Sequence, residues 1–164
     1  MSLYLSSQII LVLLTFGLLY LLIWGLQHAF TKLNFSKAKK RKLLYFITTG
    51  LSCWLGILTA LAFLGYFTNF DAAPPRIFLA VFPSIILILG LLSSKAFFSV
   101  IAQVPPSWLV YVQAFRIVVE LVLWMGLLAG FVPFQMTFVG FNFDIVVGIT
   151  ALMAGFVFFA AGPV

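Results

Sequence analysis

Five long apolar runs, separated by short polar connections, take up most of this 164-residue chain. A helix needs about 20 apolar residues to cross the hydrocarbon core of a bilayer, and each run is close to that length. The sequence therefore predicts an all-α polytopic transmembrane helical bundle of about five spans, with residues 1–164 in a single domain. The predicted spans cover about 5–29, 43–67, 77–92, 108–129 and 143–161.

The composition excludes a soluble protein. Charged residues make up 7% of the chain and apolar residues 65%, whereas about a quarter of the residues in a soluble domain are charged. The first run has no basic segment before it and no cleavage site after it, so we interpret it as a retained span rather than a signal peptide. The last run ends without the Lys or Arg expected at a cytoplasmic exit, so we expect a C-terminal truncation, with the natural protein continuing past Val164.

Positive charge is concentrated between the first two runs, which hold six of the nine Lys and Arg residues. We interpret this segment as a cytoplasmic loop that contacts anionic lipid headgroups, since cytoplasmic loops are enriched in Lys and Arg. A nucleic-acid partner is not expected, because nucleic-acid binding needs a basic surface rather than one loop. The residues assigned to headgroup contact are Lys37, Lys39, Lys40, Arg41 and Lys42.

The same charges predict the orientation of the chain. Placing the basic loop in the cytoplasm puts Lys95 on that side and leaves only Arg76 in the outer connections. The N-terminus is therefore predicted outside, with outer connections at 68–76 and 130–142. The apolar stretch 96–103 is too short to span, so we expect it to form a half-helix at the membrane interface.

An Arg and a Glu lie four residues apart inside the fourth apolar run. Because residues three and four apart share a helix face, Gln113, Arg116, Glu120 and Trp124 are predicted to form one stripe near the middle of the membrane. Ionisable residues at that depth face other helices or a polar cavity rather than lipid. Two interpretations stay open. Arg116 and Glu120 neutralise each other within one helix, or they line a cavity that binds a headgroup, a proton or a small anion.

Asn142 and Asp144 open the fifth run. One interpretation is helix capping, with Asn142 accepting from exposed amides and Asp144 complementing the positive end of the helix dipole. The other is that Asp144 approaches the polar stripe and becomes a second partner for Arg116. If the stripe lines a ligand-binding cavity, the binding residues are Gln113, Arg116, Glu120, Asn142 and Asp144.

Motifs of catalysis are absent from the sequence. There is no phosphate-binding loop, no HExxH, no nucleophile elbow and no cluster with metal-ligand spacing, and Cys53 has no partner cysteine. We therefore predict no catalytic residue, no metal site and no cofactor. Small-residue spacings such as Gly126 with Gly130 and Ala151 with Gly155 predict close helix packing instead.

Residues 115–150 carry two motifs, FR-x-x-VE-x-x-LW and P-x-QMTF-x-G-x-NFDI. On these motifs the chain resembles a family of uncharacterised bacterial integral membrane proteins. Members of that family carry a charged pair at the positions of Val139 and Phe141 and continue into further hydrophobic helices, and this chain departs from both features. The resemblance implies a polytopic protein of the bacterial inner membrane, with no assigned reaction.

Three classes of function follow. The first is a structural or accessory membrane protein whose partners are membrane lipids and either a second copy or another membrane protein. The second is a small transporter or ligand-binding membrane protein that uses the Arg116 and Glu120 stripe. The third, a lipid-modifying membrane enzyme, requires a second carboxylate or a His near Glu120.

Overall fold

The structure, a computed structural model of the chain, describes residues 2–68 and 72–159. All regular elements in these two ranges are helical. Asp71 lies outside them. The α-helices are α1 (Leu3–Lys32), α2 (Lys37–Phe63), α3 (Phe78–Leu92), α4 (Lys95–Ile101), α5 (Pro106–Val112), α6 (Phe115–Leu128) and α7 (Asp144–Phe159), with 3₁₀ turns at Tyr66–Thr68, Phe134–Met136 and Phe138–Gly140.

In the described ranges three helical segments are long and apolar enough to cross a membrane, namely α1, α2 and the consecutive α5 and α6. A fourth is added if α3 and α4, which are bent by 86° at a short break, form one broken span. The membrane class and the all-helical fold are therefore confirmed. The fifth predicted run, 143–161, forms α7, whose 16 residues are fewer than a span needs. Residues 160 and 161 of that run lie outside the described ranges.

Residues 23–103 form one compact unit, and the end of α1 lies in it. Asn34 adopts a left-handed conformation, φ 53°, which a short polar residue tolerates well. The N–H of Asn34 donates to the Thr31 carbonyl at 3.1 Å, and the N–H of Phe35 donates to the Phe30 carbonyl at 3.2 Å. The Phe30 and Phe35 rings stack 5.4 Å apart, and Phe30 is buried. This is a Schellman ending with its usual apolar contact, and it turns the chain into α2.

The basic residues after α1 are helical, which corrects the prediction that they form a loop. Ser36 caps α2 by accepting a hydrogen bond from the N–H of Lys39 at 3.3 Å, so the helix begins at Lys37. It ends at Phe63, before Gly65 with φ 68°. The helix therefore begins six residues before the predicted span 43–67 and ends four residues before the end of that span, because a capping serine and a left-handed glycine define its ends.

The break between α3 and α4 falls at two serines. The Ser93 hydroxyl donates to the Leu89 carbonyl at 2.9 Å. Ser94 caps α4 by accepting a hydrogen bond from the N–H of Phe97 at 3.4 Å. Competition of serine side chains for backbone groups favours a helix boundary. The predicted half-helix at 96–103 is thus present as α4, at 86° to α3.

Residues 1–22 and 104–164 form the second unit, in which α7 packs antiparallel to α5 and α6. Gly148 lies against Ile117 and the later Gly155 lies against the ring of Tyr111. Both glycines are buried against the facing helix, so a side chain at either position would collide with it. Small residues thus allow the helices to approach closely, as in other membrane bundles.

The chain leaves α6 through a second Schellman ending. Gly130, with φ 80°, donates to the Leu127 carbonyl at 3.0 Å, and the N–H of Phe131 donates to the Gly126 carbonyl at 3.1 Å. The side chains of Phe131 and Val132 then lie against Gly126. The 130–142 connection therefore folds back along the last turns of α6 instead of extending away from it.

We expect Gly148→Ala to lower the free energy of unfolding by about 1–3 kcal/mol, the usual cost of overpacking. A Cβ at this position would lie 2.6 Å from the Ile117 Cγ1 and 3.1 Å from the Ile117 backbone nitrogen, so α7 would have to move away. Unfolding titrations in mixed detergent micelles measure the change.

Gly17→Ala is the control for this prediction. Gly17 lies inside α1, and an added Cβ there has no neighbour within 4 Å. This variant should be neutral or slightly more stable, since Ala favours a helix over Gly. Equal stability of the two variants would show that α7 does not pack on α6 through Gly148.

Candidate functional site

Arg116 is held at the junction of α5, α6 and α7. Its Nη1 donates to Asp144 Oδ1 at 2.6 Å, which is the one ion pair among the residues that the structure describes. Its Nε donates to Gln113 Oε1 at 3.1 Å. Gln113 and Ala114 separate α5 from α6, and the Arg116 and Ile117 amides bond three residues back, which tightens the helix at this point. Three elements thus meet at one guanidinium group.

The predicted ion pair between Arg116 and Glu120 within one helix is not formed. Side chains on a helix lean towards its N-terminus, so Arg116 extends towards Gln113 and away from Glu120. Asp144 occupies the place of the expected intrahelical partner. The interpretation in which Asp144 approaches Arg116 is therefore correct in its geometry, although Arg116 is not shared between two carboxylates.

Glu120 faces the connection that precedes α7, where Asn142 meets it. The Asn142 Nδ2 donates to Glu120 Oε1 and also to the Met136 carbonyl at 3.1 Å. The Asn142 backbone N–H donates to the Thr137 carbonyl at 3.2 Å, and its Oδ1 accepts from the Asp144 N–H at 3.4 Å. Asn142 thus has the predicted capping contact with the start of α7, and its side chain also joins the connection to α6.

The carboxyl group of Glu120 is closed off from solvent, whereas the ion pair is not. Glu120 is 0% exposed, while the side chains of Arg116 and Asp144 are 33% and 43% exposed. The backbone N–H of Phe138 also interacts with this carboxyl group, but the second oxygen, Oε2, makes no hydrogen bond of normal geometry. Buried polar atoms without a partner are rare in proteins, and this one lies inside a helical segment long enough to span a membrane.

Two features of the connection were not predicted from the sequence. Thr137 is fully buried, and its hydroxyl donates to the Phe134 carbonyl at 2.9 Å. Gly140 leaves no room for a side chain, because a Cβ would lie 2.1 Å from the Phe134 carbonyl oxygen. Trp124, predicted as part of the polar stripe, places its ring 6.0 Å from that of Phe138 in the same connection. The polar stripe is therefore covered by a tightly folded segment.

The polar network, which consists of Gln113, Arg116, Glu120, Asn142 and Asp144, offers few other chemical roles. No group of three or more His, Cys, Asp or Glu in the described ranges could hold a metal ion. A groove of about 490 Å³ in the same unit is apolar and contains no network residue, being lined by Tyr111, Leu152, Met153, Phe156 and Val157. What the network can do is stabilise a fold, or take up a proton or cation at Glu120 Oε2.

The residues predicted to contact headgroups lie in the other unit, on the first turns of α2. Lys37, Lys40 and Arg41 line a groove of about 530 Å³ between α1 and α2. Lys39 places its Nζ 4.1 Å from the centre of the Phe35 ring and does not line this groove, and neither does Lys42. The structure thus separates the five predicted residues into two sets.

We expect a double-mutant cycle to give a coupling energy of about 1 kcal/mol between Arg116 and Asp144, near the usual value for polar pairs between membrane helices. The cycle uses Arg116→Gln, Asp144→Asn and the double variant, with free energies of unfolding measured in mixed micelles. The same cycle on Arg116 and Glu120 should give a coupling energy near zero. A coupling energy in that second cycle larger than in the first would show that Arg116 pairs with Glu120 within the helix.

Comparison of the chain with protein-family models, with curated proteins and with solved structures finds no match. The family resemblance of residues 115–150 therefore stays a prediction from two short motifs. The assignment of function rests on the network around Arg116, Glu120 and Asn142 and on the membrane-spanning helices.

Proposed function

We propose that this chain is a structural or accessory multi-pass protein of the bacterial inner membrane, with its N-terminus outside. Its long apolar helices support the membrane location. The basic residues at the start of α2 support the orientation, since cytoplasmic segments are rich in Lys and Arg. The motifs in residues 115–150 support the bacterial origin. In this proposal α7, which the structure describes over Asp144–Phe159, is the fifth membrane segment.

The observation that carries the structural role is the set of contacts made by Asn142. Irregular backbone is tolerated at membrane depth only where protein covers it and its polar groups are bonded. Asn142 supplies such bonds to the Met136 carbonyl, the Thr137 carbonyl and the Asp144 amide, and it attaches them to Glu120. The polar residues of the network thus bind mainly one another, which favours a structural role over ligand binding.

The accessory role follows from the exposed side of the network. Arg116 and Asp144 are each about one-third exposed or more, and the neighbouring outward residues of α7 are apolar, including Val147. An ion pair facing lipid is costly, so polar pairs in membranes are usually covered by protein. We propose that a second copy or another membrane protein covers this face.

A specific observation favours one alternative. Glu120 Oε2 is buried and makes no hydrogen bond of normal geometry, so a proton or a small cation bound there would satisfy it. This would make the chain a small transporter or ion-binding membrane protein. A lipid-modifying enzyme is not proposed, because the second carboxylate of the network, Asp144, is bound to Arg116.

Native mass spectrometry of the gently extracted protein tests the accessory role. We expect a complex with a second copy or another protein. Arg116→Gln combined with Asp144→Asn should weaken that complex, because the covered ion pair is lost while the net charge stays the same. Lys95→Gln, an exposed change outside the network, should leave it intact. A bare monomer in every case would contradict the accessory role.

Glu120→Gln separates the structural role from ion transport. Gln keeps an oxygen that accepts from Asn142 but cannot carry the carboxylate charge. We therefore expect the free energy of unfolding to change by less than about 1 kcal/mol. In proteoliposomes with an imposed pH gradient and a trapped pH-sensitive dye, we expect no protein-dependent flux from either protein. Flux in the wild type that Glu120→Gln abolishes would instead establish the transporter.

A further inference from the structure

The groove between α1 and α2 is lined on one side by a single stripe of α2. Lys37, Lys40, Arg41, Leu44, Tyr45 and Thr48 are spaced three and four residues apart, so they lie on one helix face. Ile23 and Gln27, four residues apart on α1, line the other side. Over the twelve residues from Lys37 to Thr48 this face extends about 16 Å along the helix axis. Its residues change from basic to mainly apolar along that length.

The basic end of the groove has no carboxylate near it in the described part of its unit. The chain contains only Asp71, Glu120 and Asp144, of which Asp71 is not described and the other two lie in the other unit. The first turn of α2 contains no acidic residue. Lys40 donates to the Thr31 hydroxyl at 2.6 Å, which is a neutral acceptor. Within the described residues of this unit, the three cations therefore have no carboxylate as a counter-charge.

This arrangement also opposes the helix dipole. The N-terminus of a helix favours negative charge, so cations in the first turn of α2 destabilise the isolated helix. Negative charge supplied from outside would offset this repulsion. Basic pockets at the ends of membrane helices bind the headgroups of anionic lipids for the same electrostatic reason.

We propose that this groove is a binding site for one anionic phospholipid. Lys37, Lys40 and Arg41 bind the phosphate of the headgroup, and an acyl chain lies along Leu44 of α2 and Ile23 of α1. The polar groups of Gln27 and Tyr45 lie beside the glycerol and ester region. The apolar continuation of the groove distinguishes a lipid from free phosphate, which would need only the basic end.

The chain offers a matched pair of variants. Lys37, Lys40 and Arg41 are changed together to Gln in the groove variant, and Lys32, Lys39 and Lys42 in the control. Each variant loses three positive charges from the same region, so both weaken nonspecific attraction to anionic membranes equally. The variants are purified from nanodiscs that contain phosphatidylglycerol and phosphatidylcholine, and retained lipid is counted by native mass spectrometry.

We expect the wild type and the control to retain one phosphatidylglycerol per chain, and the groove variant to retain at least about tenfold less. Equal loss in both variants would mean diffuse attraction and would overturn the site. Equal retention would overturn it as well. Thermal unfolding of each variant shows whether the groove variant is folded, and a groove variant that fails to unfold cooperatively is replaced by Arg41→Gln alone against Lys42→Gln.

Ile23→Trp tests the apolar end without altering any charge. The larger side chain fills the groove beside Leu44, so we expect retained phosphatidylglycerol to fall by about tenfold, while inorganic phosphate at millimolar concentration should not displace the lipid from the wild type. Unchanged lipid retention in Ile23→Trp, or displacement by phosphate, would show that only the basic end binds and would overturn the lipid site.

Discussion

The hydrogen bonds of Asn142 hold together the part of the fold that regular secondary structure cannot. An α-helix satisfies its own backbone groups, but the 130–142 connection has to find partners for its groups elsewhere. Asn142 donates to a carbonyl of that segment and to Glu120 on α6, while its oxygen accepts from the start of α7. A single side chain therefore joins two helices and the segment between them.

The position of α7 follows from this constraint. Because the connection folds back along α6 as far as Glu120, α7 begins beside Arg116 instead of at the end of α6. That start places Asp144 within reach of the guanidinium group, and one turn later Gly148 allows close contact with Ile117. The ion pair and the buried glycine are thus consequences of where the connection is anchored.

Hydropathy predicts the long helices because each one satisfies its own backbone and needs only apolar side chains. It does not predict the path of the 130–142 connection, since that path depends on contacts between residues far apart in the chain. Asp144 could be proposed as a partner of Arg116 from its charge. The bond between Asn142 and Glu120, 22 residues apart, could not, because it depends on the backbone path of the connection. The cap at Ser36 carries a local signal, which the apolar pattern alone does not include.

The two groups of cations differ in where their counter-charge comes from. Arg116 is bound by Asp144, so its charge is balanced within the unit and contributes to packing. The described part of the other unit offers no carboxylate to Lys37, Lys40 or Arg41, although these residues share one face of α2. Because a cation near a membrane surface attracts anionic lipid, these described contacts favour opposite roles for similar side chains. Arg116 stabilises the fold through its ion pair, whereas the α2 stripe is proposed to bind an anionic lipid.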